Sequence, residues 1–241
     1  ALLLYALARV PLIAERVFAQ GVTRWLSFAL NRLTNFIPVS FYELIAAFLV
    51  AGGAFFLVSL VVFAAKKEFA RAGLWLYRAA VAALFVLLAF GVLYAPLYAR
   101  AHADEALGLT TDVTPQSLYA AAEYYVDALN ETSARLERDA DGNVLPTCGF
   151  GALADRLNAR YAAFEGNYFA DFEVRAKAVL LSVPMSYLGI TGIYFPFTAE
   201  ANVNVNIPAY ELPATMAHEM AHAKGVSREN EANIVSYAVC I

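Results

Sequence analysis

The sequence predicts a mainly α-helical protein, in which N-terminal transmembrane helices precede an α+β domain with a small sheet. The 241 residues are 61% hydrophobic and have a mean hydropathy of +0.55, well above a typical soluble domain. The long apolar runs all lie within the first 98 residues. Charge divides the chain at the same point. Eight basic and three acidic residues (net +5) precede residue 99, whereas nine basic and eighteen acidic residues (net −9) follow it.

Residues 1–98 are predicted to form a membrane region. Residues 41–65 carry one charge, Glu43, and residues 79–98 carry none. Each run has about 20 residues or more, enough to cross a bilayer as a helix. Residues 1–13 are also apolar but are short and contain Arg9, so they are interpreted either as the trimmed end of a third span or as a remnant of a signal-type segment. The lipid bilayer is therefore one expected partner.

The loop between the two spans sets the expected orientation. It carries Lys66, Lys67 and Arg71, and short basic loops stay in the cytoplasm. The second span then leaves the cytoplasm, so residues 99–241 are expected to be extracytoplasmic in a multi-pass protein of the cell membrane. Their acidic balance provides no basic surface for nucleic acid, and nucleic-acid binding is not expected.

Residues 14–36 have the pattern of an amphipathic helix. Polar residues at intervals of three or four form one stripe, and apolar residues fill the other face. Such a helix is expected to lie at the membrane surface or under the following domain. The polar stripe is Arg16, Gln20, Arg24, Ser27, Asn31 and Asn35, and the apolar face is Phe18, Val22, Trp25, Leu26, Ala29 and Leu33.

The middle of the chain predicts two more helices. One begins at Pro115, where a missing N–H costs nothing in the first turn, and continues through an apolar stripe to Leu129. The other covers residues 150–164. Cys148 and Cys240 are the only cysteines, and the sequence leaves open whether they pair.

The most informative motif is His218-Glu219-Met220-Ala221-His222. Positions i and i+4 share one face of a helix, so both histidines can bind one Zn²⁺, and Glu219 can reach a catalytic water. This is the HExxH arrangement of zinc peptidases. Pro213 and Gly225 bracket the predicted helix as a first-turn proline and a left-handed terminating glycine.

A zinc peptidase needs a third ligand, and the next predicted helix, from Ser227 onward, offers two carboxylates. Glu229 is preferred because it shares a face with Asn233, which could hydrogen-bond a ligating histidine from outside the coordination sphere. Glu231 is the alternative. Acidic residues in a first turn also complement the helix dipole without any metal.

Residues 201–207 alternate between apolar and polar side chains, which predicts a strand with one buried face. Zinc peptidases bind substrate peptides by strand addition beside the zinc helix. Asn202 and Asn204 are therefore candidate substrate-binding residues.

The C-terminal part resembles a family of bacterial membrane proteins known as domain of unknown function 3810. The resemblance rests on residues 192–202, on Glu211-Leu212-Pro213, on the HExxH motif, on Gly225, on residues 229–233, and on the Pro-Val-Ser-Phe-Tyr-Glu run at 38–43. The family is similar to zinc-dependent peptidases, which implies a zincin-like domain. Its Glu-x-x-Ala-Asn element is similar to the Glu-x-x-Ala-Asp element of membrane-embedded gluzincins, whose first glutamate binds zinc. The resemblance thus implies Glu229 as third ligand.

The sequence hypothesis is a membrane-anchored zinc metallopeptidase that hydrolyses a peptide or protein substrate, with Glu219 as general base. A non-catalytic membrane protein with a structural or sensory zinc site is the alternative. A domain in which the motif is accidental and no metal binds is a third.

Overall fold

The computed structural model describes residues 9–110, 112–164 and 166–241. Most of the predicted span 1–13 lies outside these residues. The helices are α1 (Pro11–Ile13), the π-helical segment Ala14–Val22, α2 (Thr23–Thr34), α3 (Phe41–Ala65), α4 (Phe69–Leu93), the 3₁₀ segment Ala95–Ala99, α5 (Ala103–Leu107), α6 (Pro115–Arg135), α7 (Phe150–Ala162), α8 (Ser182–Tyr187), α9 (Leu212–Ala223) and α10 (Glu229–Cys240). The strands are β1 (Lys177–Ala178), β2 (Gly192–Phe195) and β3 (Glu200–Val203).

Helices α3 and α4 form an antiparallel hairpin, and both are long and apolar enough to cross a membrane. Helix α3 has the same limits as the first predicted span, and Ser40 caps it by accepting the Glu43 N–H. The limits predicted for the second span, 79–98, are wrong. The helix begins ten residues earlier, at Phe69, and includes Arg71 and Arg78, which the prediction from an uncharged run left out. It ends at Leu93, shortly before Pro96, which cannot continue it.

The N-terminal helical segments are amphipathic. Several of their polar side chains are buried, whereas the polar side of an ordinary surface helix faces water. Thr23, Ser27 and Asn31 are buried, whereas Trp25 and Leu33 are 66% and 70% exposed. In α2 and at its C-terminal end, Arg24, Asn31 and Asn35 bond backbone carbonyls of the C-terminal part, and Trp25 and Leu33 face outward. In the preceding segment the pattern differs, since Phe18 is buried and Arg16 is exposed. Residues 14–36 are also not one regular helix, since their first part is π-helical with non-helical backbone angles at Gly21.

The three strands have the order β1-β3-β2, with β1 parallel and β2 antiparallel to β3. The predicted strand 201–207 corresponds to β3, which is shorter. All four β3 residues are buried, so the prediction of one exposed face is wrong. The central position of β3 explains this burial, because neighbouring elements cover both faces and both edges.

Helix α9 packs against α10 and against this sheet, and together with α7 these elements enclose the main core. Its largest fully buried apolar side chains are Met216, Met220, Val174, Val203, Val226, Val235 and Val239. Helix α6 contributes no buried residue to this core.

Cys148 and Cys240 are free thiols.

The division predicted at residue 98 separates an apolar, basic part of the chain from an acidic part. Hydrogen bonds nevertheless join the two parts. The Ser40 hydroxyl donates to Asn202 Oδ1 at 2.7 Å, and Lys177 Nζ donates to the Thr34 carbonyl at 2.7 Å. Each of these side chains is buried. The residues before 99 therefore complete the polar interior of the C-terminal part.

Candidate metal centre

Helix α9 carries the HExxH motif and has the ends that the sequence predicts. Pro213 stands in its first turn. Gly225, with φ +99°, turns the chain back after the helix, a left-handed conformation that other residues rarely adopt. The same turn brings the start of α10 towards the face of α9 that carries His218 and His222.

Three side chains converge on one point in front of α9. His218 Nε2 and Glu229 Oε2 are 3.1 Å apart, the two histidine Nε2 atoms are 3.1 Å apart, and His222 Nε2 and Glu229 Oε1 are 3.5 Å apart. Ligand atoms around a tetrahedral Zn²⁺ with bonds of about 2.0–2.1 Å are separated by about 3.3 Å. The spacing of these three side chains therefore fits a zinc ion bound between them.

A hydrogen bond at Nδ1, the ring nitrogen that does not face Glu229, fixes the orientation of His222. Its Nδ1 lies 2.6 Å from the Val226 carbonyl oxygen, to which it donates, leaving the Nε2 lone pair facing the other two ligands. The Tyr94 hydroxyl is 3.2 Å from the same Nδ1. Sequence reasoning missed Tyr94 because it assigned residues 79–98 to a span. Pro96 was the signal that the helix ends before it.

Glu219 lies beside the ligands and is buried. Its carboxylate accepts the Tyr194 N–H, and burial raises its pKa to about 8, with the charge of Glu229 acting in the same direction. A methyl group on Gly192 would lie 2.5 Å from Glu219 Oε1. Only glycine at this position of β2 leaves room for the carboxylate.

A cleft of about 480 Å³ opens in front of these groups. Gly189, Ile190 and Thr191 lead into β2 along one side, and the start of α10 forms another. The Thr191 carbonyl accepts the Asn204 N–H, so the following Gly192 N–H points the opposite way, towards the open edge of β2. A peptide could pair with that edge.

Comparison with models of protein families shows to which family the chain belongs. The family described as "Protein of unknown function (DUF3810)" matches residues 18–241. The chain belongs to the DUF3810 family. The match covers both the α3–α4 hairpin and the C-terminal core. Comparison with curated proteins and with solved structures found no match.

The alternative ligand of this DUF3810 protein, Glu231, is directed away from the histidine pair. It is buried, and its Oε1 contacts Arg228 Nη1 at 2.6 Å and His102 Nδ1 at 2.7 Å. Two residues of helix separate it from Glu229 by about 200° of rotation, so only one of the two can face the cleft. Glu231 instead joins α10 to the segment before α5.

Asn233 lines the rim of the cleft, but the predicted hydrogen bond to a histidine is wrong for His222, since the Val226 carbonyl is already the partner of its Nδ1.

The predicted substrate-binding roles of Asn202 and Asn204 are also wrong. Both are 0% exposed. Asn202 bonds Ser40 and the Ile193 carbonyl, and Asn204 bonds Ser186 and the Ile190 carbonyl. Their side chains support the sheet because both faces of β3 are covered.

Proposed function

We propose that this DUF3810 protein is a membrane-anchored zinc metallopeptidase. The observation that carries the proposal is the convergence of His218, His222 and Glu229, whose ligand atoms all lie within 4.8 Å of one another. A buried carboxylate, Glu219, lies beside them. Two imidazoles and a carboxylate are a donor set that zinc uses in peptidases, and catalytic sites leave a further position open.

Bound zinc would supply a Lewis acid that activates water and polarises the substrate carbonyl. The protein groups would do the rest of the chemistry. Glu219 accepts the proton of the attacking water and transfers it to the leaving amine. The Gly192 N–H and the open edge of β2 hold the substrate backbone beside Glu219, which replaces the expectation that β3 does so.

We also propose that both helices of the α3–α4 hairpin span the cell membrane and that the metal centre lies on the extracytoplasmic side. Both domain-side ends, Phe41 and Leu93, adjoin the C-terminal part, whereas the turn with Lys66 and Lys67 lies at the far end of the hairpin. Basic turns stay in the cytoplasm. In a chain whose Cys148 and Cys240 are replaced by serine, a Lys67→Cys variant should react with a membrane-impermeant maleimide only after cells are opened. Reaction in intact cells would reverse the orientation.

A structural zinc site is the competing function. It requires a fourth side-chain ligand that closes the site. Glu231 was the candidate for that role, and its contacts with Arg228 and His102 hold it elsewhere. The open cleft therefore favours the catalytic proposal.

The test measures zinc content and peptide hydrolysis on the full chain in detergent. Wild type should bind about one zinc, and His218→Ala should lose it. Glu219→Gln should keep zinc and lose about 10²–10⁴-fold in hydrolysis of a quenched peptide library. His102→Ala is the matched control, because His102 is the remaining histidine and lies outside the cleft. Wild-type hydrolysis by Glu219→Gln would refute its role, and a chain without zinc would refute the site.

A further inference from the structure

Residues 180–188, around α8, form an exposed apolar patch. Leu180 is 81% exposed, Tyr187 89% and Leu188 73%, and Leu181 and Val183 are each more than half exposed. Large apolar side chains grouped in this way on a protein surface indicate a contact with another body.

The patch belongs to the longest part of the C-terminal half without a charge. From residue 178 to residue 199 there is no Asp, Glu, Lys or Arg, and Lys177 and Glu200 flank this uncharged stretch. Edges of sites that bind soluble proteins carry a polar rim. The patch lies in an uncharged stretch and lacks a charged rim of this kind. Its apolar side chains are therefore better suited to contact lipid hydrocarbon and lipid carbonyls than a soluble protein.

Hydrogen bonds fix the start of the patch to the membrane hairpin. The Glu43 carboxylate accepts the Leu181 N–H at 2.7 Å and the Leu180 N–H at 3.0 Å. Glu43 stands in the first turn of α3, the end of the proposed span nearest the domain. Leu180 and Leu181 therefore lie beside the level at which α3 enters the bilayer.

The backbone of the patch is held in place while its apolar side chains point outward. Ser182 Oγ donates to the Val179 carbonyl at 2.6 Å and accepts the Val205 N–H at 2.9 Å. Ser186 Oγ donates to the Asn206 carbonyl at 2.8 Å. Met185 is buried beneath. The exposure of Tyr187 and Leu188 is thus built into the fold.

The patch continues directly into the wall of the metal cleft. Gly189, with φ +69°, ends α8, and the next residues, Ile190 to Gly192, line the cleft and begin β2. No charged side chain intervenes between Tyr187 and the edge of β2. A peptide that pairs with β2 is therefore close to whatever surface the patch contacts.

We propose that residues 180–188 insert their apolar side chains into the outer boundary of the lipid bilayer. The metal cleft then opens at the membrane surface, and its substrate is a polypeptide segment held at that surface by a lipid anchor or an adjoining span. This substrate class rests on the proposed peptidase function, whereas the lipid contact does not. Tyrosine is enriched at the membrane boundary, which agrees with the position of Tyr187.

The lipid contact is tested by spin labelling of the full chain in phosphatidylcholine/phosphatidylglycerol nanodiscs. Cys148 and Cys240 are replaced by serine, and single labels are placed at Leu188→Cys and at Tyr119→Cys, an exposed position on α6. The Leu188 label should be accessible to oxygen and shielded from a water-soluble nickel complex, while the Tyr119 label should be open to nickel. Equal nickel accessibility overturns the proposal. Shielding from both reagents with dipolar broadening between chains also overturns it, because the patch then contacts a second copy.

The substrate class is tested with a quenched peptide library, with and without a palmitoyl anchor, on the same nanodiscs. Replacing Tyr187 and Leu188 by Ser should lower kcat/KM for the anchored library by about tenfold or more and leave the free library unchanged. Equal losses on both libraries overturn membrane presentation. If no variant cleaves anything while the Leu188 label is buried in lipid, the peptidase proposal fails and the lipid contact stands.

Discussion

Gly192 is the residue on which the position of Glu219 depends. A Gly192→Ala substitution puts a methyl group 2.5 Å from Oε1 and 2.6 Å from Cγ of Glu219, and the carboxylate is the flexible partner that must move. We expect zinc content to stay near wild type and peptide hydrolysis to fall by about 10²-fold or more. Metal analysis and a turnover assay on the same preparation measure the two quantities.

Gly151→Ala is the control for Gly192→Ala, because no atom lies within 4 Å of a methyl group placed there. Full activity of Gly192→Ala would mean that Glu219 need not occupy its observed position. Loss of zinc from Gly192→Ala would mean instead that the substitution disturbs the ligands, and the separation of binding from catalysis would be wrong.

The role of a residue could be predicted when its partners are close to it in the sequence, and could not be predicted when they are distant. The pairing of His218 with His222 follows from helix geometry alone, and it was predicted. The contact between Tyr94 and His222 joins residues 128 positions apart, and no local pattern reports it. Asn202 illustrates the opposite error, since its alternating sequence indicated an exposed face while Ser40, 162 residues earlier, covers it.

At the scale of elements, Arg100 ties the N-terminal π-helical segment to the turn after α9. Its Nη2 donates to Glu15 Oε1 at 2.9 Å, and its Nη1 to the Gly225 carbonyl at 2.8 Å. The Arg100 side chain is 1% exposed. A buried guanidinium must be paired with an opposite charge, because the free-energy cost of removing it from water otherwise exceeds the energy of its remaining interactions. Arg100 therefore joins this segment to the turn that follows the HExxH helix.

The tie between Glu15 and Arg100 predicts a pH dependence. Burial acts to raise the pKa of Glu15, but hydrogen bonds and charge from Arg100 outweigh it, and the pKa is lowered. A lowered carboxyl pKa stabilises the folded state above the unfolded pKa of about 4.3, and this contribution is lost as pH falls through the folded value. Glu15→Gln should lower stability by about 2 kcal/mol at pH 7 and by much less near pH 3.

Thermal unfolding in detergent at both pH values measures the difference, and Glu123→Gln on the exposed helix α6 is the control. A Glu15→Gln penalty that is the same at pH 7 and pH 3 would contradict the assignment of this stability to the carboxylate charge.

Element boundaries show what composition could and could not predict. Helices α3 and α9 were found at their observed positions because apolar length and capping residues are local signals. Helix α4 was placed late, since a search for uncharged residues excluded Arg71 and Arg78. The reversed facing of α2 had no sequence signal, because a polar stripe looks the same whether it contacts water or carbonyl oxygens such as that of Ala199, which accepts from Asn31.

At the scale of the whole molecule, buried hydrogen bonds join the N-terminal and C-terminal parts. Glu200 accepts the Phe41 and Tyr42 N–H groups, and Lys177 donates to carbonyls of the segment before α3. A fragment of residues 99–241 loses all these partners. We expect it to lack the single cooperative unfolding transition of the full chain, because buried polar groups without partners are costly.

Calorimetry and limited proteolysis of the 99–241 fragment beside the full chain provide the measurement. A fragment with a sharp transition and intact protease resistance would show that the C-terminal half folds alone, and the polar bonds across residue 98 would then be dispensable.

The bonds of Glu43 also constrain the order of events during synthesis. Leu180 is 137 residues later in the chain, which corresponds to roughly 7–27 s of translation at about 5–20 residues per second. In the proposed topology the hairpin enters the bilayer during that interval, before its Glu43 carboxylate has the Leu180 and Leu181 N–H groups as partners. A carboxylate is costly to place in hydrocarbon, so Glu43 would keep the start of α3 at the membrane surface until residues 180–181 are made and bind it there.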